Sequence, residues 1–208
     1  MWSLRCTRAG IKNWGHKVKC FLRKIGMFHI FECDFQLDSK HILTDLDTLL
    51  SEYYALEWEH VVTRPTSKSG KGGNKLRLYN SLKHDVQTEK YVTLIMDKRD
   101  RSALAKFRCG VAPLQIELGR YSKVDVKDRL CTFCERNEVE DECHTLLRCD
   151  LYADIQNDLF YQCRNIIDFD NLTDFEKVNF ILTDDDIVRY SARVCRNILN
   201  RRKYFLCK

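Results

Sequence analysis

The sequence predicts a mainly α protein: an irregular helical bundle with little or no sheet, interrupted by one small metal-knuckle insertion. Three observations carry that expectation. Only 2 prolines and 8 glycines occur in 208 residues, which favours long helices over many turns. Apolar residues recur at helical spacing, and at 44% of the chain hydrophobic residues can close a core. The helical period breaks at Cys131-Thr-Phe-Cys134, which is followed by His144 and Cys149.

Trp14 to Ile25 reads as an amphipathic helix, with Trp14, Val18, Phe21, Leu22 and Ile25 on one face and Gly26 as its stop. Asp45 to Val62 is the clearest long helix. Leu46, Leu49, Leu50, Tyr53, Leu56 and Val61 follow helical spacing, Thr44 or Asp45 is the expected cap, and Pro65 ends it. Residues 65–75 are rich in glycine, serine and lysine and read as a flexible linker. They lack the G-x4-G-K-[S/T] pattern of a phosphate-binding loop. Three helices follow, at Leu76 to Lys83, Lys90 to Met96 and Arg101 to Cys109, the last capped by Asp100 or Ser102 and stopped by Gly110. Leu114, Ile116 and Leu118 alternate, which predicts a short extended piece.

His144 to Arg148 looks like one helical turn. Residues five apart lie about 140° apart around a helix, so His144 and Cys149 can face one ion only if the helix breaks near Cys149. Asp150 would then cap a helix carrying Leu151, Ile155, Leu159 and Phe160. A loop at Asp168 to Thr173 leads to a helix from Asp174 to Leu182. Asp184, Asp185 and Asp186 are the expected caps of a last helix, with Ile187, Val194 and Ile198 inward. The chain thus divides into an N-terminal helical segment (1–64), the linker (65–75), a helical metal-binding domain (76–165) and C-terminal helices packing on it (166–208).

The spacing C-x2-C-x9-H-x4-C is the strongest chemical signal. A C-x2-C turn offers two thiolates from one knuckle, and His144 with Cys149 completes a tetrahedron of soft donors suited to zinc. Four protein ligands leave no open position, so the ion is expected to be structural. Phe133 can shield it from water, and the acidic stretch Glu135 to Glu142 forms a polar connector that can bulge outward. Cys143, beside His144, stays open as an alternative fourth ligand.

Eleven cysteines, an odd number, come with no secretory pattern, so a reducing intracellular compartment, nucleus or cytoplasm, is expected. No apolar run approaches the ~20 residues of a membrane span. The net charge is +5. Both ends are basic, the metal lobe is acidic, and Arg99, Arg101, Lys106 and Arg108 give the middle helix a basic face beside Leu104 and Phe107. Phosphate binding, if present, belongs to the basic helices. The bland alternative is a solvated helix face.

Several blocks occur in a telling order: Arg101-Ser-Ala-Leu-Ala-Lys-Phe-Arg-Cys-Gly110, Leu118-Gly-Arg-Tyr121, Arg129-Leu-Cys-Thr-Phe-Cys134, Val139-Glu-Asp-Glu-Cys-His144 and Leu147-Arg-Cys149-Asp-Leu-Tyr152. Together they resemble the zinc-binding tail that follows the reverse transcriptase in non-LTR, LINE-type retrotransposon polyproteins. The resemblance is strong over residues 75–160 and weaker toward both ends. One departure is Asp150, where many relatives have proline.

The resemblance implies zinc held by Cys131, Cys134, His144 and Cys149. It also implies handling of RNA or DNA, and a reverse transcriptase as a possible partner. With the charge placement, it nominates Arg99, Arg101, Lys106, Arg108 and Arg120 as nucleic-acid contacts and Tyr121 as a stacking group. The paired carboxylates of a polymerase are absent: Tyr152-Ala-Asp-Ile155 has isoleucine where the second aspartate belongs. The expectation is therefore a non-catalytic module that binds nucleic acid. The alternatives are a zinc-stapled protein-interaction module, or an element remnant with no selected function.

Overall fold

The computed structural model describes residues 14–32, 39–62, 76–83 and 87–207. The expected linker at 65–75, with Pro65, lies outside them. Among the described residues there is no strand. Leu130 and Val139 form an isolated antiparallel bridge, and the rest is helix and turn. The chain separates into two units, Met1–Val61 and Val62–Lys208.

The first unit holds α1 (Trp14–Lys24), α2 (His29–Glu32) and α3 (Ser39–Val62). Leu22, Ile25 and Met27 are its buried centre, and Val18, Phe21, Ile42, Leu46, Leu49 and Tyr53 pack around them. The Phe21 ring meets Tyr53 edge-on at 5.5 Å. Gly26 ends α1 with φ +76°, a left-handed conformation that disfavours a side chain. The start of α3 corrects the sequence reading. Thr44 lies inside the helix, and its carbonyl accepts the Thr48 hydroxyl at 3.1 Å. Ile42 extends the apolar stripe back by a turn, so burial overrides the local cap signal. Leu56 faces outward, 67% exposed.

The second unit contains α4 (Arg77–Leu82), α5 (Lys90–Thr93), α6 (Lys98–Arg108), α7 (Gln115–Tyr121), α8 (Glu142–Leu147), α9 (Ala153–Arg164), α10 (Asp174–Thr183) and α11 (Val188–Leu206). Leu104, Phe107, Leu114, Leu146, Leu159, Ile181 and Ile198 are fully buried in its core. α11 packs along α6 and also against α9 and α10. Val194 and Ile198 point inward from it, and Ile187, just before its start, is buried too. Ion pairs brace the packing: Arg196 of α11 to Asp100 of α6 at 3.0 Å, and Arg201 of α11 to Asp154 of α9 at 2.7 Å.

Several element ends differ from expectation. α5 stops at Thr93 because Leu94 turns extended. α6 begins earlier, capped by Asp97, whose carboxylate accepts the Arg99 and Asp100 amides. Gly110, at φ +64°, closes it. Residues 115–121 are helical rather than extended. Ile116 and Gly119, three apart, share the buried face of α7, and buried Glu117 sits at a position the apolar alternation left to solvent. Asp150 does not cap α9. A 3-10 turn at Asp150–Tyr152 precedes that helix, and Asp150 instead holds Arg136 at 2.7 Å. No side chain caps α11; Asp184 accepts the Asp186 amide in the preceding turn. A capping box of Thr173 and Glu176, unread in the sequence, starts α10.

Candidate metal centre

The knuckle is built from backbone first. Cys131 N–H donates to the Glu138 carbonyl at 2.9 Å, and Glu140 N–H donates to the Arg129 carbonyl at 3.0 Å. This ribbon turns over through Asn137, at φ +52°, a residue that tolerates the left-handed region. The Phe133 amide donates to Cys131 Sγ at 3.4 Å. On the other side α8 presents His144. Asp141 caps that helix by accepting the His144 amide at 2.8 Å. The chain then leaves helical geometry at Arg148, with φ −131°, and Cys149 turns back extended. The expected break is therefore present, and it brings Cys149 to face His144.

The ligand atoms of Cys131, Cys134, His144 and Cys149 all lie within 4.8 Å of one another, so the four residues form a Cys3His group able to hold a metal ion. Cys131 Sγ is 3.8 Å from Cys149 Sγ, and Cys134 Sγ is 3.4 Å from His144 Nε2. Cys131, His144 and Cys149 are buried and Cys134 is half-buried. Burial pushes the Cys131 and Cys149 thiols up, and in Cys149 the neighbouring Cys131 adds to it. Thiolates packed this closely need a cation to ionise together. Cys143 stands apart. Its sulfur takes a hydrogen bond from Arg148 at 3.4 Å, and burial pushes it up to about 11.

Acidic residues do much of the positioning: the tip of the connector, Glu135 to Asn137, is exposed as expected, but Glu138 is half-buried and Glu140 and Glu142 are buried. His144 Nδ1 donates to Glu138 Oε2 at 2.9 Å, leaving Nε2 as the ligand atom; this is the carboxylate–histidine arrangement typical of metal sites. The bond to His144 holds the Glu138 carboxyl below the usual range, with Arg148 assisting. Glu140 is fully buried. It accepts Arg202 of α11 at 2.8 and 3.1 Å and the Gln115 amide at the start of α7 at 2.7 Å. The Arg202 guanidinium in turn lies 5.1 Å over the Phe133 ring. Glu138, Glu140 and Asp141 were missed in the sequence because a run of acids looks solvated, and Arg202 because it lies among the basic residues that end α11.

The expected nucleic-acid contacts fall into two groups. Arg108 is buried, bound to Glu89 at 2.7 Å and to the Leu182 carbonyl, with its guanidinium 5.0 Å from the Tyr91 ring. Arg120 is held by both oxygens of Glu117, at 2.9 and 2.6 Å, and covers Tyr121 at 4.7 Å. Arg101 donates to the Leu94 carbonyl at 3.0 Å. Arg99 and Lys106 are exposed on α6, and Tyr121 is 67% exposed.

Arg99 and Lys106 line a groove of ≈ 1160 Å³ between α6 and α11. Leu118, Leu199 and Leu206 contribute apolar surface to it, and no aspartate or glutamate lines it. No helix among the described residues is long and apolar enough to cross a membrane. Compared with family models, curated proteins and solved structures, the chain matches none.

Proposed function

We propose that this chain is a non-catalytic, zinc-stapled helical module of LINE-type retrotransposon origin that works by docking on a partner protein. Bonds of about 2.3 Å to sulfur and about 2.0 Å to imidazole in a tetrahedron give S–S edges near ~3.8 Å and S–N edges near ~3.5 Å. The distances of 3.8 Å for Cys131–Cys149 and 3.4 Å for Cys134–His144 support zinc on that basis. With every position filled by protein, the ion is a staple and not a Lewis acid for substrate. The origin rests on the order of the sequence blocks. Elemental analysis of the purified protein, with a chelation melt on the same sample, tests the ion.

The groove between α6 and α11, where Leu118, Leu199 and Leu206 lie among basic residues and no carboxylate, is the observation that carries docking. The partner implied by the resemblance is the reverse transcriptase domain that such tails follow. Calorimetry of the zinc-loaded chain with a nuclease-treated LINE-type reverse transcriptase domain is the test. Binding that is lost in Leu118→Asp is expected. Absence of binding, or binding indifferent to that change, overturns docking through the groove.

A second reading, nucleic-acid binding, is favoured by the exposure of Arg99 and Lys106. The ion pairs of Arg108 and Arg120 reduce what those two residues could add. Phosphate contacts make affinity fall with salt, by a log–log slope of about 0.9 per neutralised phosphate on duplex DNA. A steep slope on RNA or DNA supports this reading; no binding to either ends it.

A further inference from the structure

We propose that the groove between α6 and α11 receives an acidic amphipathic helix. This rests on the docking reading above and names the chemistry of the partner. α6 has 11 residues, about 16 Å of length at ~1.5 Å per residue, enough to lie alongside roughly three turns of an incoming helix. Ala103 is buried and Leu199 half-buried between the two helices, and Leu118 and Leu206 are 38% and 58% exposed. An apolar stripe at i, i+3, i+4 and i+7 is what such a surface accepts.

Charge settles the rest of the partner. Lys98, Arg99 and Lys106 from α6 and Lys203 from α11 line the same groove, all exposed. Among the described residues, no ion pair joins these four to a carboxylate, although Asp97, which accepts the Arg99 amide, acts electrostatically on Arg99. The two other arginines there are internal braces: Arg196 binds Asp97 and Asp100, and Arg202 binds Glu140. Lys98 and Arg99 occupy the first turn of α6, the positive end of the helix dipole, where a cation opposes helix formation. Helix stability therefore does not account for them, whereas carboxylates on a docked partner do. A nucleic-acid strand fits less well. No aromatic side chain lines the groove to stack a base, and its leucines offer nothing to phosphate.

The test uses the full, zinc-loaded chain and a fluorescent synthetic helix of about 16 residues, leucine at i, i+3, i+4 and i+7 and glutamate on the flanks. Fluorescence anisotropy compares it with a scrambled peptide of the same composition and with single-stranded and duplex DNA. Expected is binding at least about tenfold tighter than the scramble. The double variant Arg99→Glu/Lys106→Glu and, separately, Leu118→Asp should each lower it by about tenfold or more. Circular dichroism and zinc content should be unchanged in these surface variants. Equal binding of the scramble, or none of either peptide, overturns the proposal. Tighter DNA binding lost in the same variants assigns the groove to nucleic acid instead. If a reverse transcriptase domain binds in a Leu118-dependent way while the acidic helix does not, docking stands and this inference alone fails.

Discussion

Between Glu138 and Cys134 the imidazole of His144 has one nitrogen tied and the other directed at sulfur. Glu138→Gln keeps the shape but weakens the anchor, and an expected loss of 10- to 100-fold in metal affinity is measurable by competition with a chromophoric chelator. Cys131→Ser removes a ligand outright and should unfold the second unit, since metal energy in such sites is folding energy, ~10–16 kcal/mol apparent in zinc-finger peptides. A circular dichroism melt matching the parent protein would refute a structural ion. Cys131 and Cys149, pushed up by burial, carry their protons at neutral pH without the ion. Binding must expel them, so affinity rises with pH. Calorimetric heats should therefore change between buffers of different ionisation enthalpy, and heats independent of buffer would contradict this. The four residues of the Cys3His group were legible because residue type and spacing encode a tetrahedron directly. Glu138 and Glu140 were not, because nothing in Glu-Arg-Asn-Glu-Val-Glu-Asp-Glu distinguishes an inward acid from an outward one until the ribbon around Asn137 is folded.

Helices here begin and end where packing decides, and α7 shows why that was hard to read. Its apolar residues alternate, but the face it buries includes Gly119 and the carboxylate of Glu117. A Cβ on Gly119 would sit 2.6 Å from Cγ of Arg129. Arg129 cannot swing aside, since it is buried and donates to the carbonyls of Ile116 at 2.6 Å and Val124 at 3.0 and 2.8 Å. Gly119→Ala should therefore destabilise the fold by about 1–3 kcal/mol, as overpacking does, read from the urea midpoint; an unchanged midpoint would show that Arg129 yields. The Glu140–Arg202 pair joins three elements, namely the ribbon, α7 and α11. Glu140→Ala leaves Arg202 charged and buried, and an expected cost of about 3–5 kcal/mol follows. The double change Glu140→Leu/Arg202→Met should recover much of it, which a double-mutant cycle checks. Caps were partly legible: Gly26 and Gly110 stop their helices as read, whereas the true cap of α6, Asp97, was passed over for Asp100 one turn inside.

At the scale of the whole chain the mainly helical class was readable from composition and period. The groove was not, because its walls come from α6 and α11, about 90 residues apart in sequence, and only the folded unit brings them together. Arg202 belongs to both regions. It lines the groove, and it also rests on Phe133, between Cys131 and Cys134 of the candidate metal group, and on Glu140 of the ribbon. Stripping the ion should therefore be felt at the groove, and chelation is expected to abolish peptide binding along with helicity in the second unit. Reciprocity between linked equilibria requires the converse: whatever occupies the groove must tighten the hold on the ion by the same factor. The protein would then release its ion most readily when it stands alone, so that the rate of zinc loss to a chelator reports whether a partner is seated.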